Sequence, residues 1–325
     1  MLYPLKFSPQ LKYRIWGGTK LRDLYGKEVP ESMEKCGESW ELSAVDGSLS
    51  VVKNGFLAGN NIQELAEVYM ADLVGEKNFH KFGVEFPLLI KLIDTTDYLS
   101  VQVHPDNQMA ERLHHAYGKT ELWYVLEAET DSQIVTGFNR NIKANEFQQA
   151  LNSGQLPSLL KQELVRADDM VYVPARSIHS LGKGITLVEI QQTSDITYRV
   201  YDWDRTEPDG TKRELHTDLA IKAIDFEANS LLPERVAVEK NIPQELKHTQ
   251  FFNVNRLFLT QSVERDFFER DTFRIYICLG GEASIKCSRT EEVSISNGEL
   301  VLIPAILTSA VIVPQTEARL LEVFL

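Results

Sequence analysis

The stretch Ser100-Val-Gln-Val-His104, followed at once by Pro105-Asp106, leaves this chain the least structural freedom. Side chains alternate across a strand, so Ser100, Gln102 and His104 share one face and Val101 and Val103 the other. Proline has no amide proton for a ladder, so the strand ends with His104 at its rim. A second short run, Glu121-Leu-Trp-Tyr-Val125, reads as a strand that opens on a carboxylate. A third, Met170-Val-Tyr-Val173, ends in Pro174 and turns to His179. Strand ends that deliver two imidazoles and a carboxylate to one mouth belong to a β-barrel. Such nitrogen and oxygen donors suit zinc and other divalent first-row metals. A lone histidine on a strand is more often a hydrogen-bonded core or surface residue. The spaced set of Gln102, His104, Glu121 and His179 is what points to a metal.

The chain has 325 residues, more than one all-β domain usually takes. A polar, irregular stretch over 229–250 carries Pro233 and Pro243, and the expected boundary there divides the chain into 1–235 and 236–325. The net charge of −13 argues against a nucleic-acid partner, whose phosphates need clustered Lys and Arg. It leaves room for a local basic pocket that takes one small phosphate. No run approaches ~18 consecutive apolar residues, so no membrane partner is expected. The first residues lack the apolar region of a secretory signal, and a cytoplasmic location is expected. Cys36, Cys278 and Cys287 form no C-x-x-C pair and read as reduced, buried residues. Oligomeric state is not legible in the sequence.

Along the chain, Gly37–Ser43 alternates, with Glu38, Trp40 and Leu42 on one face. Residues Ile62–Asp72 carry a helical period, with Asn60-Asn61 as the cap. The apolar run Phe86-Pro-Leu-Leu-Ile-Lys-Leu-Ile fits a buried strand interrupted by Lys91, which either snorkels to an edge or points into a polar cavity. Asn107–Tyr117 reads as a surface helix, on which His114 and His115 face different ways. A helical insertion near 140–165 comprises Ala144–Asn152 and Pro157–Gln162, and a further helix is expected over Leu219–Ala228. From Phe251 onward the chain is again all strand. There Asn297-Gly-Glu-Leu-Val-Leu-Ile-Pro-Ala305 echoes Ala167-Asp-Asp-Met-Val-Tyr-Val-Pro-Ala175, a weak internal repeat that implies two related barrels. Ser309 occupies the position of His179, and no histidine follows His248, so the expectation is one metal per chain, held by the first barrel. The turn after Pro304 is apolar and is expected to pack against the first barrel.

These segments resemble the cupin barrel, and within it the type I phosphomannose isomerases in their short bacterial form. The resemblance is carried by Trp16-Gly-Gly18, Gly37-Glu-Ser-Trp-Glu41, Phe86-Pro-Leu-Leu-Ile-Lys91, Leu99-Ser-Val-Gln-Val-His-Pro-Asp106, Lys119-Thr-Glu-Leu-Trp-Tyr124, Val173-Pro-Ala175 with His179, and Arg199-Val-Tyr-Asp-Trp203. It implies a mainly β fold of two cupin-type (jelly-roll) barrels, the second degenerate. It also implies a zinc ion on His104, Glu121 and His179 with Gln102 as fourth ligand, and Arg199 as the essential arginine. Lys119, Lys91 and Ser100 match positions that line the family's substrate pocket. The implied reaction interconverts mannose 6-phosphate and fructose 6-phosphate through an enediolate, with a small phosphorylated sugar as partner. Lys119 would assist ring opening or hold phosphate; Glu189, or a metal-bound hydroxide, remain alternatives for the base. The chain lacks the large helical domain of the long-form enzymes. Other readings are a different sugar-converting cupin, a non-catalytic sugar-binding cupin with a structural metal, and an iron-dependent cupin oxygenase.

Overall fold

The structure is a computed structural model that describes residues 2–207, 209–227, 231–288 and 290–325. It is mainly β. The N-terminal lobe carries β1 (Gln10–Gly18), β2 (Cys36–Leu42), β3 (Leu88–Thr95), β4 (Val101–Val103), β5 (Glu121–Ala128), β6 (Gln133–Phe138), β7 (Leu160–Leu164), β8 (Met170–Val173), β9 (Ser180–Leu181), β10 (Ile185–Gln192) and β11 (Tyr198–Tyr201). The C-terminal lobe carries β12 (Pro243–His248), β13 (Asn253–Leu259), β14 (Val263–Asp266), β15 (Arg274–Cys287), β16 (Val293–Ser296), β17 (Leu300–Ile303) and β18 (Ser309–Phe324).

In the first lobe a six-stranded sheet runs β1-β2-β3-β10-β5-β8. The facing layer is assembled from β11-β4 and β7-β6-β9, which a Gln102–His179 bridge joins into one row. The second lobe is a seven-stranded antiparallel arrangement, in which the long β15 and β18 pair along most of their length. The pairings trace open paths in both lobes, so what the structure establishes is the layered β architecture.

Strand alternation sorts the large sheet's two faces. Ile90, Leu92, Leu122, Tyr124, Val188 and Ile190 point outward into a core shared with Phe252, Val254, Ile275, Ile277, Leu321 and Val323 of the second lobe. Ile93, Trp123, Val125, Ile185 and Leu187 point inward into the first lobe's own core. Their inward companions at the other end of the same strands are Lys91, Glu121 and Glu189, so one end of the lobe is apolar and the other polar.

Several expectations shift. Pro157–Gln162 is not helical: Leu156–Leu159 is a short 3₁₀ turn, and Leu160–Leu164 pairs antiparallel with β6. The open edge of β6 recruits this segment, so tertiary pairing overrides local preference. The insertion's α-helix is therefore Ala144–Asn152 alone. Leu42 does not share the face of Glu38 and Trp40. A bulge between Trp40 and Leu42 pairs Trp40 with Lys91 but Leu42 with Ile90, turning Leu42 into the inter-lobe core. The helix expected over Leu219–Ala228 runs Thr217–Ala223, and Ala228 lies outside the described residues.

The Ile62–Val74 helix starts as expected, at an Asn61–Glu64 capping box. The turn after Pro304 does pack on the first lobe: the Ala305 and Ile306 amides donate to Leu73 and Asp72 carbonyls at 3.0 Å each. The two echoing stretches share a local turn geometry. Asp168 N and Gly298 N donate to Val125 O and Cys278 O, each at 2.9 Å, and both residues have positive φ, 68° and 82°. The three cysteines are free and buried.

Candidate active site

His104 follows the last residue of β4, Glu121 opens β5, and His179 directly precedes β9. The Gln102–His179 bridge and the β5–β8 register bring these three strand ends together. One ligand atom from each of His104, Glu121 and His179 lies within 4.8 Å of the others, and all three residues are buried. His104 Nε2 is 3.3 Å from Glu121 Oε1, and His179 Nε2 is 3.7 Å from Oε2.

The imidazole orientation is fixed from behind. His104 Nδ1 donates to Ile196 O and His179 Nδ1 to Ser177 O, each at 2.9 Å, which turns both Nε2 lone pairs inward. His104 Nε2 and both Glu121 carboxylate oxygens are buried with no hydrogen-bond partner. Burial lowers the His104 imidazole to about 3, and burial also lowers His179, so both rings are neutral donors. Burial alone would raise the Glu121 carboxyl, but Lys119 holds it well below the usual range. Two neutral imidazoles and an ionised carboxylate whose lone pairs converge fit a divalent metal. The Gln102 side chain lies beside the triad, its amide nitrogen 3.4 Å from His179 Nε2.

The triad backs onto a cavity of about 640 Å³ lined by Ser100, Gln102, Lys91, Lys119, Glu189 and Arg199, the polar residues picked out from the sequence. Lys119 Nζ is 3.0 Å from Glu121 Oε1. Ser100 Oγ donates to Gln102 Oε1 at 3.4 Å. Lys91 points into the polar cavity rather than snorkelling. It is 5% exposed, pairs with Glu189 Oε1 at 2.8 Å, and lies 5.2 Å from the Trp40 ring centre. Glu189 Oε2 accepts from Trp123 Nε1 at 3.0 Å. Burial, with Glu121 nearby, raises the Glu189 carboxyl despite Lys91 and Lys119.

Arg199 lies on β11, directly opposite Gln102 of β4. It pairs with neither nearby aspartate. Asp202 is held by Arg205 and Arg213, and Asp204 by Lys212. Its Nη1 donates to Glu214 O at 2.7 Å, while Nε is buried without a partner.

Sequence reasoning missed much of the cavity's outer rim, which Lys12, Arg14, Glu38, Trp40, Asp195 and Arg213 line. Arg14 clasps Glu38 with two bonds of 2.9 and 3.1 Å. Burial alone would raise the Glu38 carboxyl, but Lys91 and Arg14 pull it down to about 2. The whole stretch Lys12–Trp16 lines the cavity, and irregular pairing of β1 with β2 breaks the alternation that would have sorted its faces.

Comparison with known proteins agrees with this geometry. The family model for the type I phosphomannose isomerase catalytic domain matches residues 4–140. A probable mannose-6-phosphate isomerase of Bacillus subtilis (strain 168) is 42% identical over 226 residues, which cover 69% of each chain. The mannose-6-phosphate isomerase of Streptococcus mutans is 35% identical over 305 residues, covering 94% of this chain and 93% of that one. The crystal structure of the Bacillus subtilis mannose 6-phosphate isomerase superposes with a TM-score of 0.88 at 31% identity, covering 99% of both chains. With a relative this similar along nearly its whole length, the chain belongs to the type I phosphomannose isomerase family.

Proposed function

We propose that this protein is a metal-dependent aldose–ketose isomerase that interconverts mannose 6-phosphate and fructose 6-phosphate through an enediolate, with His104, Glu121, His179 and Gln102 as the metal ligands. The observation that carries this reading is the mutual aim of three buried donors that adjoin a cation-rich cavity through Lys119 and Gln102. A purely structural metal would sit in a closed, apolar surround. Here Lys119 touches the triad through Glu121, and Lys91, Arg199, Lys12, Arg14 and Arg213 line the same cavity. Two imidazole nitrogens with two oxygen donors suit zinc among divalent first-row ions.

A bound divalent ion supplies Lewis acidity toward the sugar's C1 and C2 oxygens. The chain's own residues do the rest. The cations lining the cavity bind the phosphate and bring the sugar to a fixed depth. Arg199 presents a planar fork to the two adjacent oxygens on which charge develops, and its unpaired Nε has a hydrogen to give. Lys119, tied to Glu121, donates to the sugar oxygen that opens the ring. Glu189, with its carboxyl raised by burial, holds or yields a proton between Lys91 and Trp123, which makes it this chain's candidate for the C1–C2 transfer.

A coupled assay for fructose 6-phosphate formed from mannose 6-phosphate tests the reading. Turnover is expected with metal, to be lost on chelation and restored by added divalent ion. Absence of turnover in metal-loaded, folded protein would overturn it.

A further inference from the structure

A second, smaller crevice of about 210 Å³ opens between the lobes, lined by Tyr124, Asp168, Lys240, Arg256, Phe258 and Arg319. Tyr124 alternates with Trp123, so this crevice lies on the opposite face of β5 from the catalytic cavity. In a chain of net charge −13 it gathers three cations around one carboxylate. None of the three forms an ion pair with a described residue. Asp168 accepts instead from the Tyr124 hydroxyl at 2.9 Å.

The backbone register sets the cations in place. Phe258 of β13 pairs with Arg319 of β18 and bridges to Lys240. The Lys240 ammonium and the Arg319 guanidinium lie 5.1 and 5.2 Å from the Phe258 ring centre. Arg256 is 3% exposed. Its Nη2 donates to Val236 O at 2.8 Å and Gln244 Oε1 at 3.0 Å, which ties down the inter-lobe linker. Its Nε and Nη1 are buried with no acceptor. Burial pushes the Tyr124 hydroxyl up to about 12 although the Arg256 guanidinium beside its oxygen pulls it down, and its proton goes to Asp168.

Arg256 is the buried member, with two nitrogens that lack an acceptor, and the exposed Lys240 and Arg319 stand beside it; an arriving acceptor would relieve that cost. The missing partner is an oxyanion that accepts from the Arg256 edge while Lys240 and Arg319 balance its charge. We propose that this crevice is a second anion site, which takes inorganic phosphate or the phosphate group of a small metabolite. Its donors come from the linker (Lys240), β13 (Arg256) and β18 (Arg319), so an occupant ties these three segments together and stabilises the C-terminal lobe.

The test uses the metal-loaded full chain and the double variant Lys240→Gln/Arg319→Gln; Arg256 is left intact because it also anchors the linker. Equilibrium dialysis against inorganic phosphate counts bound equivalents, since the catalytic cavity takes phosphate too. The wild type is expected to bind one equivalent more than the double variant at low concentration, with crevice affinity about tenfold or more weaker in the variant. Isomerase turnover is expected to be unchanged. Tungstate soaked into crystals is expected between Arg256, Lys240 and Arg319. Displacement of the extra phosphate by glycerol phosphate at lower concentration marks a metabolite's phosphate as the occupant; resistance to displacement marks the inorganic ion. Equal stoichiometry in both proteins, or tungstate absent from the crevice, overturns the proposal.

Discussion

Arg199 carries the sharpest residue-level prediction. With Asp202 and Asp204 engaged elsewhere, its side chain is not a surface ion-pair partner, and its free Nε is a donor without a ground-state acceptor. Arg199→Lys keeps the charge and loses the fork. Metal content and fold should persist, kcat should fall by roughly 10²-fold or more, and KM should change much less. Wild-type kcat in a folded Arg199→Lys protein would show the arginine to be structural. A second prediction concerns the metal. Elemental analysis should find about one equivalent in the wild type and a marked loss in His179→Ala, because one of three close donors is gone. These inner residues were legible in the sequence because strand alternation decides their side. The rim was not, because its residues meet only in three dimensions. Arg14 finds Glu38 across β1 and β2, and Arg213 reaches Asp202 from an irregular segment that has no periodicity to read.

At the level of elements, the two lobes share one plan put to different uses. Trp123 of β5 pairs across to Glu189 of β10 and donates to its carboxylate. Tyr276 of β15 pairs across to Glu322 of β18 in the same way, and its hydroxyl donates to that carboxylate at 2.7 Å. Lys91 faces Glu189 in one lobe; Asn255 faces Glu322 in the other and donates to it at 2.7 Å. Where the first lobe keeps a cavity, the second fills the place with Arg265, 2.8 Å from Glu322, and with buried Arg274. Glu322→Ala leaves those two cations without a counter-charge, and thermal or urea unfolding should show a loss of about 3–5 kcal/mol. A loss under about 1 kcal/mol would mean that the network is not a structural tie. Substitution of Thr308 or Ser309, which stand near the site of the absent ligand, should leave turnover nearly unchanged. The repeat was visible in sequence only in the stretch around Pro174 and Pro304, because the buried polar residues that mark the plan have changed type. The strand Leu160–Leu164 was illegible for another reason: its partner edge lies more than twenty residues upstream, and its own pattern is weak.

The whole molecule is held by a core that neither lobe completes alone. The outward faces of β3, β10 and β5 meet β13, β15 and β18 in one apolar layer, and Leu5, near the N-terminus, bridges to Leu302. Unfolding is therefore expected as a single cooperative transition. Glu299 adds an electrostatic seam to this contact. It pairs with Lys6 at 2.7 Å and Lys53 at 3.4 Å, and it accepts from the Ser296 amide at 3.0 Å. Burial alone would raise its carboxyl, but Lys6, Ser296 and Lys53 prevail and hold it at about 2. A carboxyl depressed on folding contributes stability that is fully present above its unfolded value, near 4.5, and is lost as pH falls toward about 2. The side chain is a quarter exposed, so solvent screening reduces the contribution to about 1–2 kcal/mol. Glu299→Gln mimics the protonated form at every pH. Urea unfolding at pH 7 should find the variant less stable by that amount, and the gap between the two proteins should close as pH drops from about 4.5 toward about 2. Acid loss of the metal, with its ligands in the other lobe, weakens both proteins alike and cancels in the comparison. A gap that stays constant over that range would mean that Glu299 acts through shape and hydrogen bonding rather than through its charge.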